Sequence, residues 1–438
     1  MKRRQFLTVA AGTAAAAAGI QSLLETPRAR AATDAARTPV TFWQFNTDTP
    51  SLNTWRKAIA AFEAKNPDVV VNMVVVPWSE QAQKLTTAIS TGAAPDVSMM
   101  GNDVVAEYAA INALAPLDSY FQAWSHEVGH DITGDIYAGD HAYYRYNGHW
   151  YASPLAEETR LIYYRKSMLA AAGLDPAKPP RTYQDVLAMA QKLNKPAKGV
   201  YGWGVPGAVA YFTLQTFSPI YLAWGARYLN AKGLCGFDSP EFRAALTFYT
   251  DLYTKHKVTP PDSPVYDNSK LEPLFQAGKL AMLIDGPWLL NQITDASLKA
   301  DIGLAQLPSG PKGRAAFLGG WPLVLWSQSR NKDAAFRFIR YITDPAQGLP
   351  AVCQGMGQLP GRKSISTVAP WNAAPLDIFI NQLNFAYPYQ YPHQEIPQMG
   401  ALEPDAVQTA VQNVMLGKAS VDQATKALVG HINSVLQP

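Results

Sequence analysis

Residues 40 to 100 alternate between two hydrophobic periods, and few folds accept that alternation. V-T-F-W-Q-F at 40–45 and V-V-V-N-M-V-V-V at 69–76 are short apolar runs rich in β-branched and aromatic residues. That is the pattern of strands buried on both faces. Between them, Leu52, Trp55, Ile59 and Phe62 fall at helical spacing and stop at Asn66-Pro67. Ala82, Leu85 and Ile89 repeat the helical spacing, and A-P-D-V-S-M-M at 94–100 reads as a third strand. Strand, helix, strand, helix, strand is the order of a parallel α/β sheet covered on both faces. Such sheets bind ligands at the carboxyl ends of their strands.

The same grammar returns farther along. Thr182 with Asp185 three residues on forms a capping pattern. Ser239-Pro240 opens a helix whose Phe242, Leu246, Tyr249 and Tyr253 share a face. K-L-A-M-L-I at 279–284 and D-I-G-L-A-Q-L at 301–307 read as strands. Asn331 starts a helix with Ala335, Phe338, Ile339 and Ile342 inward, and the tail is helical from about Glu403. Residues 354–398, dense in Gly, Pro and aromatics, read as loop. A chain of 438 residues with this much apolar content holds two domains more readily than one.

The N-terminus has the layout of an export signal. K-R-R-Q-F-L-T at 2–8 precedes an Ala-rich run from Val9 to Leu24, and A-R-A at 29–31 offers a cleavage site. This is a twin-arginine leader, residues 1–31, cut after Ala31. No Cys follows the apolar run, so no lipid anchor is expected, and the mature chain is expected to be soluble and periplasmic. Removing the leader leaves 32 basic against 33 acidic residues. The basic balance therefore belongs to the leader, and no nucleic-acid partner is implied. An oxidising compartment permits a disulfide between Cys235 and Cys353, but two cysteines so far apart in sequence are expected to be separate buried thiols.

W-S-H-E-V-G-H at 124–130 matches H-E-x-x-H, the pattern of a zinc peptidase helix with His126 and His130 as ligands and Glu127 as base. Gly129 inside the motif, then Asp131, Thr133 and Gly134, work against a continuous helix. A third ligand is needed, and His141 and Glu157 are the candidates. The expectation is a solvent-facing loop between domains and no cofactor. A secreted hydrolase, through these residues or through glycoside-cleaving carboxylates such as Glu158 and Asp103, stands as the alternative.

Aromatics cluster at expected strand ends and loops: Trp43, Trp78, Trp203, Trp224, Trp288, Trp321, Tyr387, Tyr389 and Tyr391. Flat rings beside polar neighbours suit stacking on the C–H face of a sugar. Y-N-G-H-W-Y-A-S-P-L-A-E-E-T-R-L-I-Y-Y-R-K at 146–166 resembles the crossover of the carbohydrate-binding proteins that serve ABC importers. T-G-A-A-P-D-V (91–97), K-L-A-M-L-I-D-G-P-W (279–288), L-G-G-W (318–321), D-A-A-F-R-F-I-R-Y-I-T-D-P (333–345) and G-Q-L-P-G-R-K (357–363) resemble further blocks of that family, in its order. The chain thus resembles extracellular solute-binding protein family 1, the maltose-binding-protein-like proteins. The segment 124–145 and the histidines between 126 and 149 match no pattern of that family.

The resemblance implies an α/β, two-lobed periplasmic-binding-protein fold of class II type, with the ligand in a cleft between lobes joined by a hinge. Lobe one would take residues 32–150 and 308–345; lobe two would take 151–307 and 346–438. The implied partners are a carbohydrate or sugar-like solute and a membrane permease, with the chain working as a monomer and without catalysis. Asn46 and Asp48 follow the first strand, and Asp103 follows the third. Glu157 and Glu158 fall where the family places a crossover carboxylate, and Tyr211, Trp288 and Trp321 where it places stacking rings. Gly319 and Gly320 would let a ligand approach the backbone, and Arg362, in the family's L-P-x-R position, would bind a hydroxyl or an acidic group. With Trp43 and Trp78 these complete the expected ligand set.

Overall fold

The computed structural model describes residues 37–383, 385 and 399–436. The leader at 1–31 and the aromatics Tyr387, Tyr389 and Tyr391 lie outside the described residues. The first sheet begins as expected. Strands β1 (Thr38–Gln44), β2 (Val69–Val75) and β3 (Val97–Met99) pair in parallel, with β1 in the middle. Helices Thr49–Lys65 and Gln81–Thr91 connect them. Phe42 meets Trp55 and Phe338 edge-on at 4.8 and 5.2 Å, so the first strand and two helices share one aromatic core.

A short hairpin of β4 (Arg145–Tyr146) and β5 (His149–Trp150) turns at Asn147 and Gly148, whose φ values are +47° and +84°. Two left-handed residues in succession are what a two-residue hairpin requires, and Asn-Gly supplies them cheaply. The chain then enters β6 (Ala152–Glu158), every residue of which is buried. After Thr159 and Arg160 it passes into β7 (Leu161–Arg165), the centre of a second, three-stranded antiparallel sheet with β8 (Met282–Asp285) and β9 (Ile302–Ala305). A small hairpin, β10 (Ser309–Gly310) and β11 (Gly313–Arg314), precedes the return through β12 (Gly319–Leu325). Strand β13 (Leu359–Pro360) then pairs with β6. The first sheet runs β13-β6-β12-β3-β1-β2. The chain is therefore a two-lobed α/β fold, built on the six-stranded sheet in one lobe and the three-stranded sheet in the other, with the two hairpins beside them.

The sheets place the lobe boundaries differently from the sequence expectation. Strand β6 lies between β12 and β13 in the first sheet, so the chain changes lobes at Thr159–Arg160, not at 150. Likewise β13 belongs to the first sheet, and helix Leu349–Met356 packs on helix Thr49–Lys65, so residues from 346 to about 360 side with the first lobe. The tail proper does reach the second lobe, where helix Met399–Met415 packs on helices Ala210–Trp224 and Pro240–Thr254. The stretch from 354 is also less loop-like than its composition suggests, containing helices Lys363–Ser366 and Asp377–Leu383.

Cys235 and Cys353 are separate buried thiols. Cys353 Sγ donates to the Leu155 carbonyl at 3.3 Å, and burial pushes its thiol far above the ordinary range. Among the described residues, no helix is long and apolar enough to cross a membrane.

Candidate ligand-binding cleft

Two of the chain's crossings between lobes lie side by side. Glu157 to Arg160 leave β6 while Phe317 to Trp321 enter β12, in the register Gly319↔Glu158 and Gly320↔Glu157. Thr159 Oγ1 donates to the Phe317 carbonyl at 2.7 Å, tying the two crossings together. Successive strand side chains point to opposite faces, so the two neighbouring glutamates have different surroundings.

Glu158 faces the second lobe. Its Oε1 accepts from Arg160 Nη2 at 3.2 Å, and both side chains are almost wholly buried. The Arg160 guanidinium sits 4.5 Å from the Trp288 ring centroid and 5.0 Å from that of Phe317. Its Nη1 donates to the Thr159 carbonyl at 3.2 Å. Trp288 is held at its other end, where Nε1 donates to Glu272 Oε1 at 3.1 Å. Tyr211 stands edge-on to Phe317 at 6.0 Å. A buried ion pair of this kind does little for net stability, because its attraction is offset by desolvation. It does fix where Trp288 and Phe317 stand.

Glu157 faces the interior of the first lobe. Tyr144 donates to its Oε1 at 3.0 Å, and its Oε2 has no hydrogen-bond partner. Burial, and next to it the Asp140 charge, push the Glu157 carboxyl well above the usual range. Burial likewise raises Asp140 to about 7. Both acids are fully buried, and burial favours their neutral forms. Gly319 and Gly320 make room for both glutamates. A Cβ at 319 would lie 2.5 Å from Glu158 Oε1, and one at 320 would lie 2.8 Å from Glu157 Oε2. The space a side chain would take at either glycine is occupied by the protein's own carboxylates.

The first lobe contributes a second set of rings. Phe45 meets Trp78 at 5.0 Å and Trp78 meets Trp321 at 5.7 Å, with Trp78 36% exposed. Asp103 lies in the short turn Asn102–Val104 after β3, and that turn packs against both β12 and helix Met399–Met415 of the other lobe. Its carboxyl folds back over Gly101, where a Cβ would come within 2.4 Å of Asp103 Oδ1. Burial raises it to about 7. Asn46 follows β1, and its Oδ1 is buried without a partner.

The remaining expected residues stand elsewhere or do other work. Asp48 caps helix Thr49–Lys65, accepting from Ser51 N at 2.8 Å. Trp43 is half-buried against the core. Arg362 is corrected outright. It lies 1% exposed beneath the first lobe, donating to the Ile132 carbonyl at 2.6 Å and covering Trp124 at 5.2 Å. Arg160, Phe317, Glu272 and Phe45 were not expected. The signal for Arg160 was present as a single cation between two apolar strands in E-E-T-R-L-I-Y-Y. Inside so apolar a stretch a charge must find a partner.

H-E-V-G-H is not a loop. Helix Asp118–Val128 carries His126 and Glu127 and ends at Gly129, whose φ is +76°. His130 N then bonds the Ser125 carbonyl at 3.2 Å, closing the helix end. His130 thus lies past the last turn, and the two imidazoles do not share a helical face. Glu127 is held by both guanidinium nitrogens of Arg340 at 2.5 and 2.7 Å, which keep its carboxyl below the usual range. A carboxylate so engaged is a poor base. Among the described residues, no group of three His, Cys, Asp or Glu is placed to hold a metal ion.

Residues 46–349 match the family model described as bacterial extracellular solute-binding protein. The mannitol-binding protein of Pseudomonas aeruginosa is 28% identical over 84% of this chain and 86% of its own. The maltotriose-binding protein of Pyrococcus abyssi is 26% identical over 86% and 77%. A solute-binding protein of an ABC transporter from Thermotoga lettingae, solved with alpha-D-tagatose, superposes with a TM-score of 0.81 at 27% identity, covering 91% of this chain and 100% of that one. The GacH receptor of Streptomyces glaucescens, solved unliganded and with acarbose, gives 0.79 at 25% identity over 92% and 99%.

Proposed function

The chain belongs to the bacterial extracellular solute-binding proteins, and on that premise we propose that it captures a sugar or sugar-like solute between its lobes and delivers it to the permease of an ABC transporter. The sugar-binding relatives and sugar-bound structural neighbours support this reading. The observation that carries it is the gathering of aromatic rings and buried polar groups beside the crossings: Trp321, on the returning strand, meets Trp78, while Glu158 holds Arg160 under Trp288 and Phe317, with Tyr211 edge-on to Phe317. Rings would stack on the sugar's apolar face while carboxylates accept from its hydroxyls.

In this reading the protein binds and releases its ligand without turnover. The lobes close by bending at Thr159–Arg160 and at the returning segment before Gly319, the positions where the chain leaves one sheet for the other. In this reading the twin-arginine pattern at 1–31 directs the chain to the periplasm. Arg160 positions the cleft by holding Glu158, Trp288 and Phe317 in one cluster.

A thermal-shift screen of the chain from Ala32 onward tests this, using mono- and oligosaccharides, polyols and sugar phosphates with and without chelator. One solute class should raise the melting temperature by several degrees, indifferent to chelator. Trp288→Ala should lower affinity for that solute by about tenfold or more, the size of one lost aromatic contact. Unchanged affinity in that variant would remove Trp288 from the cleft.

A further inference from the structure

Trp288 opens the short helix Trp288–Gln292 just after β8, and its ring folds back over the chain before it. A Cβ added at Gly286 would lie 2.0 Å from Trp288 Cζ3 and 2.3 Å from Cη2, so the benzene end of the indole fills the place of a side chain. The φ of Gly286 is not left-handed, so the turn itself does not call for glycine; the close approach of the ring does. The backbone under the ring is gripped at both polar atoms. Gly286 N donates to Asp285 Oδ1 at 2.7 Å, and the Gly286 carbonyl accepts from the Tyr163 hydroxyl at 2.5 Å. Asp285 and Tyr163 are both fully buried.

The other end of the indole is held by a different element. Trp288 Nε1 donates to Glu272 Oε1 at 3.1 Å, and Glu272 stands on helix Asn268–Gln276, which packs on β8. The Arg160 guanidinium lies 4.5 Å from the ring centroid and is itself tied to Glu158 and to the Thr159 carbonyl, each at 3.2 Å. Three separate segments of the chain thus fix the benzene end, the N–H and the ring of one side chain. A tryptophan held for packing alone looks different. Trp326, whose Nε1 donates to Ser98 Oγ at 2.9 Å, is wholly buried, whereas Trp288 is clamped and still only half-buried.

Resting on the reading of Trp288 as a cleft ring, we propose that Glu272 and Gly286 are positioning residues for solute binding, which act through Trp288 by setting the tilt at which its indole meets a sugar. An indole free to turn about its two side-chain torsions would have to be ordered when the solute arrives, at a cost in affinity. One clamped beforehand is ordered already. Gly286 supplies the floor that sets how deep the ring lies, and Glu272 supplies the acceptor that stops it from rotating. The acceptor is what matters at 272, since an apolar side chain there would fill the space but leave the N–H free.

The test has two readouts. The first is fluorine NMR of protein labelled with 5-fluorotryptophan, with the Trp288 line assigned by Trp288→Phe. Glu272→Leu and Gly286→Ala, each checked for folding by melting, should shift or broaden that line, whereas Glu272→Gln, which keeps the acceptor, should leave it in place. The second is titration calorimetry with maltotriose, cellobiose and mannitol as probes. For whichever probe binds, Glu272→Leu should weaken binding about fivefold, the size of one hydrogen bond, and Glu272→Gln should match wild type. In a Trp288→Ala background Glu272→Leu should cost nothing further. An unmoved Trp288 line in Glu272→Leu, or an equal loss of affinity with and without Trp288, overturns the inference while leaving sugar capture standing. If Trp288→Ala itself leaves affinity unaltered, the inference falls together with the place of Trp288 in the cleft, and if no probe binds it falls together with the sugar reading.

Discussion

Arg160 is the residue on which the cleft's geometry turns. Replacing it by Met leaves Glu158 charged, buried and unpaired, and should destabilise the chain by about 3–5 kcal/mol. The double variant Arg160→Met with Glu158→Gln should recover much of that loss in chemical denaturation. A double variant as unstable as the single one would mean the pair is not the cause. Gly319→Ala tests the neighbouring contact. A methyl placed 2.5 Å from Glu158 Oε1 and from the Phe317 ring must push one of them aside, so unfolding should show a loss of about 1–3 kcal/mol. The buried acids Asp140 and Glu157 bear on pH. Both carboxyls are raised above their unfolded values, Asp140 to about 7. The folded chain therefore holds more protons than the unfolded one between the unfolded carboxyl range and pH 7. Their contribution is fully present at low pH and is lost as pH rises through 7. Asp140→Asn, which keeps the protonated shape, should flatten the fall in melting temperature between pH 5 and 8. An identical slope in wild type and variant would contradict the raised Asp140 carboxyl.

Elements were legible in the sequence where period and burial agreed. The runs at 40–45, 69–76 and 94–100 became β1, β2 and β3 because a strand buried on both faces shows as unbroken apolar sequence. Thr182 and Ser239 became helix caps because their hydroxyls have one local use. Strand β6 was harder. Its sequence holds Pro154, Glu157 and Glu158, and nothing local reveals that β12 and β13 cover both its edges. Gly129 suggests a loop in the sequence of Asp118–Val128, whereas a left-handed glycine there ends a helix already formed. A chelator should accordingly leave the melting temperature unchanged, and a fall of several degrees would restore a metal role to His126 and His130.

At the scale of the molecule, the two sheets communicate through the chain at Thr159–Arg160 and through the segment that returns to β12. The two-lobed fold was legible because its blocks recur in order along most of the chain. The cleft was legible only in part. Trp78, Trp321, Trp288, Tyr211, Asp103 and Glu158, which we propose line it, follow from strand ends and motif positions. Arg362 sits in a matching motif yet points beneath its lobe, and Glu157 follows the alternation of β6 away from the cleft. Motif position fixes the backbone, and strand register decides which side a chain element presents. The central claim, capture of one sugar between the lobes, is tested most directly by titration calorimetry of the chain from Ala32 onward with the solute that most raises its melting temperature. One saturable site per chain, weakened by Trp288→Ala, is the predicted result. Saturation that Trp288→Ala and Asp103→Asn both leave unaltered would place the ligand outside this cleft and contradict the account.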